Sequence, residues 1–434
     1  MAITEKVCIL GLWHLGSVNA ACLAEAGYKV SGFDEDPKVV SSLKNGKAVI
    51  SEPGLDDLID KNMKNKRLEF SSSIKDAVKD CKVAILTIDT PLDDSDNVDL
   101  SGVFRIAENV SKCTSSDLLL IVQSQVPVGT CEKILDLMKK TNPSGKFEIA
   151  YVPENLRLGN AIEIFTRPDR IVIGSDNPDT LTKVEKFYSV IGGPVLKMDL
   201  KSAEMSKHAI NAFLANCISF INEMGNLCEE VGADATMVSK SLASESRIGN
   251  KLPLKAGLGF AGGTLARDLK ILKKLHVEHN MQPRMVDAIL QTNYEQNIIA
   301  LKKLQKTFGN LSGLQVGVLG LTYKPGTDTL RRSSSIETIS KLLDNGISVK
   351  AFDPSIHKLD MFDGKKFTLV SSEYETAGGS DAILLLTEWP QFKQTDYAKI
   401  HSLMKGHIFV DAKNLLDPDS MRKIGFNYLS VGRK

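Results

Sequence analysis

The chain has 434 residues, of which 42% are hydrophobic, so it is long enough for two or three domains. Its 54 Lys and Arg residues nearly balance its 53 Asp and Glu residues, and this balance argues against a general nucleic-acid-binding protein. No run of about 18 consecutive apolar residues predicts a membrane span, and the N-terminus shows no signal-peptide pattern. We therefore expect a cytoplasmic protein that binds neither nucleic acid nor membrane.

The first 200 residues alternate short apolar runs with helical patterns. An apolar run at 7–11 leads through a helical stretch to a second run, Lys29–Phe33, which ends at Asp34. This order of strand, glycine turn, helix, strand and acid is typical of a βαβ unit. Further buried strands are predicted at 82–88, 118–123, 148–152 and 170–174. The helical stretches between them predict a parallel sheet that is covered on both faces.

The pattern becomes helical from about Ser202, and strands return near residue 314. Helices are predicted over 203–231, 233–242, 266–275 and 285–308, with a glycine-rich loop at 257–263. Later strands are predicted at 315–320, 348–353, 382–387 and 407–411. We predict an α/β fold with two Rossmann-like, doubly wound domains joined by a long central helix or helical domain. The predicted boundaries are 1–200, 201–310 and 311–434.

The first turn between strand and helix resembles a dinucleotide-binding loop. Gly11 and Gly16 occupy the first and third glycine positions of the G-x-G-x-x-G fingerprint, but Trp13 occupies the second. Asp34 lies about 20 residues further on, where a carboxylate accepts hydrogen bonds from an adenosine ribose and repels a 2′-phosphate. The pattern predicts an NAD site. Two arrangements of Trp13 remain open: its indole could plug the loop, or it could turn outward and cover the cofactor.

Ordered motifs along nearly the whole chain resemble the UDP-glucose/GDP-mannose dehydrogenase family, whose members are NAD-dependent nucleotide-sugar 6-dehydrogenases. The motifs are Glu52-Pro53-Gly54-Leu55, Thr90-Pro91, Val126-Pro127-Val128-Gly129-Thr130, Pro153-Glu154-Asn155-Leu156-Arg157, Arg247-Ile248-Gly249, Leu321-Thr322-Tyr323-Lys324-Pro325-Gly326 and Thr387-Glu388-Trp389. The resemblance implies a homodimer built on the helical section and a nucleotide-sugar substrate of the UDP-hexose class.

The resemblance also implies which residues bind each ligand. The implied cofactor-binding residues are Gly11, Trp13, His14, Leu15, Gly16, Asp34, Thr90, Pro91, Ser124 and Gln125. The implied substrate-binding residues are Leu156, Arg247, Lys255, Gly259, Phe260, Lys324 and Arg331, with Arg247 reaching across the dimer. Several cations would offset the charge of a diphosphate, and glycine-rich backbone can offer it N–H groups.

The chain departs from the family where the second oxidation needs a thiol. The family traps its aldehyde intermediate on a cysteine, and Thr264 stands at that position here. A threonine hydroxyl ionises far less readily than a thiol, whose pKa is about 8.5. Gln125, Leu158 and Arg267 are further departures close to the same motifs. The seven cysteines are scattered and lack C-x-x-C spacing, which predicts reduced thiols and no metal site.

Enough polar groups remain for a first hydride transfer. We expect Lys207 and Asp268 to hold a hydroxyl or water between them as a general base, with Asn211 orienting it and Glu154 assisting. The predicted function is an NAD-dependent oxidoreductase that oxidises a hydroxyl of a UDP-hexose-like substrate, without a covalent thiohemiacetal. Two alternatives remain open: a binding or regulatory homologue without redox activity, and an epimerase-like enzyme that recycles bound NAD.

Overall fold

The computed structural model describes residues 5–93, 97–114, 117–261, 263–330 and 333–433. The chain divides into two compact units, residues 1–209 and 210–434. The predicted division into three domains remains a prediction. Within the described residues, no helix is both long enough and apolar enough to cross a bilayer.

The first unit is built on one eight-stranded sheet. Its strands are β1 (Lys6–Leu10), β2 (Lys29–Phe33), β3 (Leu68–Ser71), β4 (Val83–Leu86), β5 (Leu118–Val122), β6 (Phe147–Tyr151), β7 (Ile171–Gly174) and β8 (Val195–Met198). Its helices are α1 (His14–Glu25), α2 (Pro37–Lys44), α3 (Leu55–Lys64), α4 (Ile74–Val78), α5 (Ser101–Cys113), α6 (Thr130–Thr141), α7 (Ala161–Thr166) and α8 (Pro178–Tyr188).

The strand order of this sheet is β3-β2-β1-β4-β5-β6-β7-β8. Neighbouring strands are parallel except for β6 and β7, which meet as an antiparallel pair. The first six strands therefore have the order of a Rossmann fold. The chain adds β2 and β3 on one side of β1 and adds β4 to β6 on the other side, so the topological switch point lies between β1 and β4. The central strands β4 and β5 are buried along their whole length, because helices cover both faces of the sheet.

The section that follows is helical, as the sequence predicts. Its helices are α9 (Leu200–Val231), α10 (Ala235–Ser244), α11 (Thr264–Glu278), α12 (Arg284–Asn297) and α13 (Ile299–Phe308). The prediction of one continuous helix over 285–308 is wrong, because the chain leaves helical geometry at Ile298, where φ is −103° and ψ is 13°. Thr338 donates a hydrogen bond to the Asn297 carbonyl at this break, while the apolar periodicity continues across it.

The second unit also contains a parallel six-stranded sheet, in the order β11-β10-β9-β12-β13-β14. Its strands are β9 (Gln315–Leu319), β10 (Ser348–Phe352), β11 (Phe367–Leu369), β12 (Ala382–Leu385), β13 (Ile408–Asp411) and β14 (Asn427–Ser430). Its helices are α14 (Ser334–Asp344), α15 (Glu373–Ala377), α16 (Tyr397–Leu403) and α17 (Pro418–Ile424). The predicted repetition of a Rossmann-like fold is confirmed, since this order repeats that of β1 to β6.

Candidate functional site

The cofactor loop, residues 11–16, connects β1 to α1 and depends on its two glycines. Gly11 has a φ of +96°, a left-handed conformation that other residues rarely adopt, and its N–H donates to the Phe33 carbonyl at 2.8 Å. A Cβ built on Gly16 would lie 1.7 Å from the Gly11 oxygen. Both positions therefore require glycine, and helix α1 begins as close to the strand end as a dinucleotide fingerprint demands.

Asp34, at the end of β2, contacts the backbone of the cofactor loop and of its own turn. One carboxylate oxygen accepts the N–H of Leu12 at 2.7 Å, and the other accepts the N–H of Asp36 at 2.9 Å. The side chain is half-buried, and each oxygen accepts one hydrogen bond, so each has capacity to accept another. Asp34 therefore braces the cofactor loop and can also accept hydrogen bonds from ribose hydroxyls.

Trp13 is half-exposed at the N-cap of α1. Its side chain is 47% exposed, so the indole is not packed into the protein interior. The two arrangements that the sequence left open both stay predictions. The backbone and the acid thus fit an NAD molecule. Thr87, which the sequence analysis missed, donates a hydrogen bond to the Gly11 carbonyl at 2.7 Å and so holds the first residue of the cofactor loop in place.

His14, the first residue of α1, pairs with a buried glutamate. Its Nε2 lies 2.9 Å from Oε2 of Glu52, which also accepts the N–H groups of Gly159 at 2.7 Å and Ala161 at 2.8 Å. Burial alone would raise the pKa of Glu52, but these hydrogen bonds outweigh it and hold the pKa below its usual value. Glu52 therefore ties the cofactor loop to the segment that follows β6.

The segments that follow β4 and β5 meet through predicted cofactor residues. Buried Thr90 donates to the Gln125 carbonyl at 2.6 Å, and the Ser124 N–H donates to the Leu86 carbonyl at 3.0 Å. The Pro91 carbonyl accepts the N–H of Asp99 at 2.8 Å. The strand ends of this unit thus gather Ser124, Gln125, Thr90 and Pro91 at the carboxyl edge of the sheet, where ligands bind in Rossmann folds.

The first turns of α9 hold two loops of the first unit. Glu204 accepts the N–H groups of Gly129 and Cys131, and His208 Nε2 lies 2.9 Å from the Val126 carbonyl. Lys207 donates to the Glu154 carbonyl and, at 3.4 Å, to Asn155. Burial raises the pKa of Glu204, although the N–H groups that it accepts oppose this. Glu204 and His208 have no obvious signal in the sequence beyond their helical spacing of four.

The loop after β6 carries two further predicted residues. The carboxylate of half-buried Glu154 accepts the N–H of Leu156 at 2.5 Å, so this acid shapes its own loop. Leu156 is half-buried and packs against the core. The Glu154 carbonyl is the acceptor for the buried Lys207 ammonium, which joins the two predicted catalytic residues of this unit.

The second unit joins Asn211 to Asp268, two of the predicted catalytic residues, whereas the predicted pairing of Lys207 with Asp268 stays a prediction. Asp268 lies on α11 with no exposed surface, and its Oδ2 accepts a hydrogen bond from Asn211 at 2.5 Å. Thr264 is the first residue of α11, and its side chain is exposed. A carboxylate held by an amide donor, on the helix that begins at Thr264, is a suitable arrangement for proton transfer.

Buried amides hold the glycine-rich loop, and the sequence analysis missed them. Asn293 both donates to the Phe260 carbonyl at 3.0 Å and accepts the Phe260 N–H at 2.7 Å. The Gly257 backbone has the same two-sided arrangement, with Asn222 accepting at 2.9 Å and Gln296 donating at 2.6 Å. Asn293, Gln296 and Asn297 form a polar stripe on α12, and this stripe was a readable signal.

Two cations and an acid lie where the loop meets the second sheet. The Leu258 N–H donates to the Ala412 carbonyl at 2.9 Å, and the neighbouring Lys413 pairs with Glu388 at 2.9 Å. Burial alone would raise the pKa of Glu388, but Lys413, with a smaller effect from Lys255, lowers it. Lys255 is exposed beside this pair, so the loop has positive charge near its backbone.

The remaining predicted substrate-binding residues are Lys324, Arg247 and Arg331. Lys324 is half-buried in the loop after β9. Arg247 is exposed and pairs with Glu245 at 3.0 Å, so its predicted reach toward a partner subunit remains a prediction. Arg331 lies outside the described residues.

The second sheet has its own acid at the corresponding position, with different surroundings. Asp353 follows β10 as Asp34 follows β2, but it is 1% exposed. Its Oδ2 accepts hydrogen bonds from the Leu321 N–H, from both the N–H and hydroxyl of Thr322, and from the Trp389 indole at 3.0 Å. A carboxylate oxygen with four donors has no lone pair left for a ribose hydroxyl.

The cysteines of the second unit do not replace the missing thiol. Cys217 is 6% exposed and Cys228 is 7% exposed, both on α9. Burial raises the pKa of Cys217, which is the opposite of what a nucleophile needs. Among the described residues, no group of three or more His, Cys, Asp or Glu side chains is arranged to hold a metal ion.

Three domains of one protein family match the chain in sequence. The NAD binding domain of the UDP-glucose/GDP-mannose dehydrogenase family matches residues 5–191, its central domain residues 201–295, and its UDP binding domain residues 317–418.

Similar proteins align over their whole length. The UDP-glucose 6-dehydrogenase TuaD of Bacillus subtilis is 34% identical, over 99% of this chain and 93% of its own. The UDP-glucose 6-dehydrogenase of Rickettsia bellii is 35% identical, over 99% of this chain and 100% of its own. The solved UDP-glucose dehydrogenase of Pyrobaculum islandicum superposes with a TM-score of 0.92 at 30% identity, covering 100% of this chain and 99% of that one.

Proposed function

Because the chain belongs to the UDP-glucose/GDP-mannose dehydrogenase family and is an NAD-dependent nucleotide-sugar dehydrogenase, we propose that it oxidises a hydroxyl of a UDP-hexose-like substrate without a covalent thiohemiacetal. The observation that carries the redox part is the cofactor loop itself, where Gly11 and Gly16 leave no room for a side chain and Asp34 contacts the loop backbone. The relatives named as UDP-glucose 6-dehydrogenases support a UDP-hexose as the substrate. We also propose that the protein acts in the cytoplasm.

The residues of the first unit would hold the cofactor. The backbone of residues 11–16 would approach the diphosphate, and Asp34 would accept the ribose hydroxyls. NAD, when bound, supplies the hydride acceptor for alcohol oxidation. Lys207 would stabilise negative charge on the reacting oxygen, because its ammonium is already fixed by the Glu154 carbonyl.

Asp268 is the proposed acceptor of the hydroxyl proton. Its carboxylate is buried and oriented by Asn211, so it is held ready in one position. The Asn293 and Gln296 amides would keep the backbone of the glycine-rich loop in place for the nucleotide. Lys255, Lys324 and Lys413 would offset the charge of the diphosphate.

The second oxidation would not use a thiol. Thr264 stands at the family's nucleophile position, and both cysteines of α9 are buried. An aldehyde can instead add water, and the resulting gem-diol can be oxidised as an alcohol is. We predict that Thr264→Cys creates or strengthens acid-forming activity with UDP-glucose. An unchanged product would show that the missing thiol does not limit the reaction.

Product stoichiometry tests this function against its alternatives. NADH formed per UDP-sugar consumed, together with the mass of the product, separates three outcomes. Two NADH per sugar indicate an acid, one indicates an aldehyde or ketone, and none with a changed sugar indicates an epimerase-like cycle. Tight UDP-sugar binding without any NAD binding would support a regulatory homologue and refute the proposal.

We also propose a homodimer that forms along α9. Phe213, Phe220 and Leu227 recur at intervals of seven residues, and their exposed fractions are 56%, 47% and 54%. Large apolar side chains in such a stripe are costly to leave in water, and a spacing of seven is typical of helix–helix packing.

A further inference from the structure

An exposed ion pair lies beside the acid of the cofactor site. Arg105, on α5, donates from Nε to one oxygen of Glu35 at 3.1 Å and from Nη2 to the other at 2.6 Å. Their side chains are 53% and 45% exposed. A pair so accessible to water contributes little to folding stability. The bidentate geometry nevertheless orients the guanidinium toward one carboxylate, which accepts two of its N–H groups.

The position of this pair connects it to the adenosine end of the cofactor. Glu35 directly follows Asp34 at the end of β2, where Rossmann folds bind the ribose. A Cβ built on Gly102 would lie 3.9 Å from Arg105 Nη2 and 3.3 Å from Ile88 Cγ2. The Ile88 side chain in turn crowds Gly11, since its Cδ1 would lie 2.7 Å from a Cβ built there. Arg105 therefore lies on the same edge of the sheet as the cofactor loop.

We propose that Glu35 sets cofactor choice by occupying Arg105, the cation that would otherwise bind the 2′-phosphate of NADP. This inference rests on the proposed function. An arginine near the ribose is the usual means by which Rossmann folds accept a 2′-phosphate. Here the chain has that arginine, but Glu35 accepts two of its hydrogen bonds, neutralises its charge and adds a negative charge between Asp34 and Asp36.

Neutralising Glu35 should therefore raise NADP affinity above that of the wild type, even though Asp34 still repels the 2′-phosphate. In Glu35→Gln, the guanidinium loses its charged partner, and its donors become available to a phosphate. We expect NADP affinity to rise at least tenfold. NAD affinity should change less than about threefold, because its ribose carries no phosphate to meet the cation.

Binding is measured by fluorescence, independently of turnover. The chain has two tryptophans: Trp389 is buried and hydrogen-bonded through its indole, whereas Trp13 is 47% exposed in the cofactor loop. NAD and NADP are titrated against wild type, Glu35→Gln, Glu35→Ser, Arg105→Gln and Glu35→Gln/Arg105→Gln, with calorimetry on the same samples. Arg105→Gln is the matched control, because it breaks the pair without releasing the cation.

The expected result is a gain in NADP affinity in both Glu35 variants that the added Arg105→Gln change abolishes. Unchanged NADP affinity in both Glu35 variants, or a gain that persists in the double variant, overturns the inference while the proposed function stands. Absence of NAD binding to the wild type overturns the proposed function, and this inference with it.

Discussion

Replacing Gly259 with alanine tests whether the amide-held loop positions the nucleotide. A Cβ at this position would lie 2.4 Å from Asn293 Oδ1, 2.7 Å from Asn297 Oδ1 and 2.9 Å from the Asn293 carbonyl oxygen. The Asn293 amide cannot rotate away without losing its two hydrogen bonds to Phe260, and the carbonyl belongs to helix α12. The loop must therefore retreat by about 1 Å, and overpacking of this kind costs about 1–3 kcal/mol.

The cost should appear mainly in substrate affinity and turnover. A displacement of about 1 Å in a positioning element can lower the rate about 100-fold. We expect Gly259→Ala to lower kcat/KM for the UDP-sugar by 10- to 100-fold, measured by NADH absorbance, with NAD affinity unchanged. Gly263→Ala is the control, because a Cβ there would have no neighbour within 4 Å. Equal losses in both variants, or wild-type kinetics in Gly259→Ala, would refute the steric argument.

Three further changes test other parts of the molecule. Glu52→Gln should cost about 1–3 kcal/mol at pH 7 and lower the Tm, because it removes the charge that two N–H groups and His14 contact. Since the Glu52 pKa is lowered in the folded protein, its stabilisation is complete above the unfolded pKa of about 4.3 and is lost as the pH falls through the folded pKa. The difference in Tm between the wild type and Glu52→Gln should therefore become smaller at acid pH. A Tm difference that does not depend on pH would contradict this reasoning. Phe220→Lys should give monomers in sedimentation, whereas Val277→Lys, 61% exposed on α11, should not; a dimeric Phe220→Lys protein would exclude the α9 interface. Lys207→Ala should abolish turnover but nearly preserve nucleotide affinity in calorimetry, and retained turnover would remove Lys207 from catalysis.

The sequence predicted the central strands of both sheets and missed the edges. All ten predicted strands exist, within three residues of their predicted ends. The four missed strands, β3, β8, β11 and β14, are the outer strands of the two sheets. An outer strand pairs on one side only and carries polar residues, as in the Leu196-Lys197 step of β8, so it lacks the continuous apolar run of a buried strand.

The sequence predicted the candidate-site residues that belong to a known motif. It missed the residues whose only role is to hold a loop in position. Gly11, Gly16 and Asp34 stand at positions that a dinucleotide fingerprint fixes in advance. Thr87 acts through a contact between segments far apart in the sequence, which no local spacing encodes, whereas Asn293 lies in a polar stripe of α12 that the sequence analysis overlooked. The direction of the Trp13 side chain is not encoded in the sequence either, since a side-chain rotamer depends on neighbours that the sequence does not reveal.

The two sheets of the protein have the same strand order, but the aspartates at corresponding positions, Asp34 and Asp353, differ in how accessible they are. Asp353 is buried, with four donors on its Oδ2 and the Ser355 N–H on its Oδ1, whereas Asp34 is half-buried and accepts one hydrogen bond on each oxygen. Among the described residues, the second sheet therefore repeats the strand order of the first without repeating its accessible acid. The second sheet is thereby left to serve another ligand, and a single chain can hold two different nucleotides without their competing for one place.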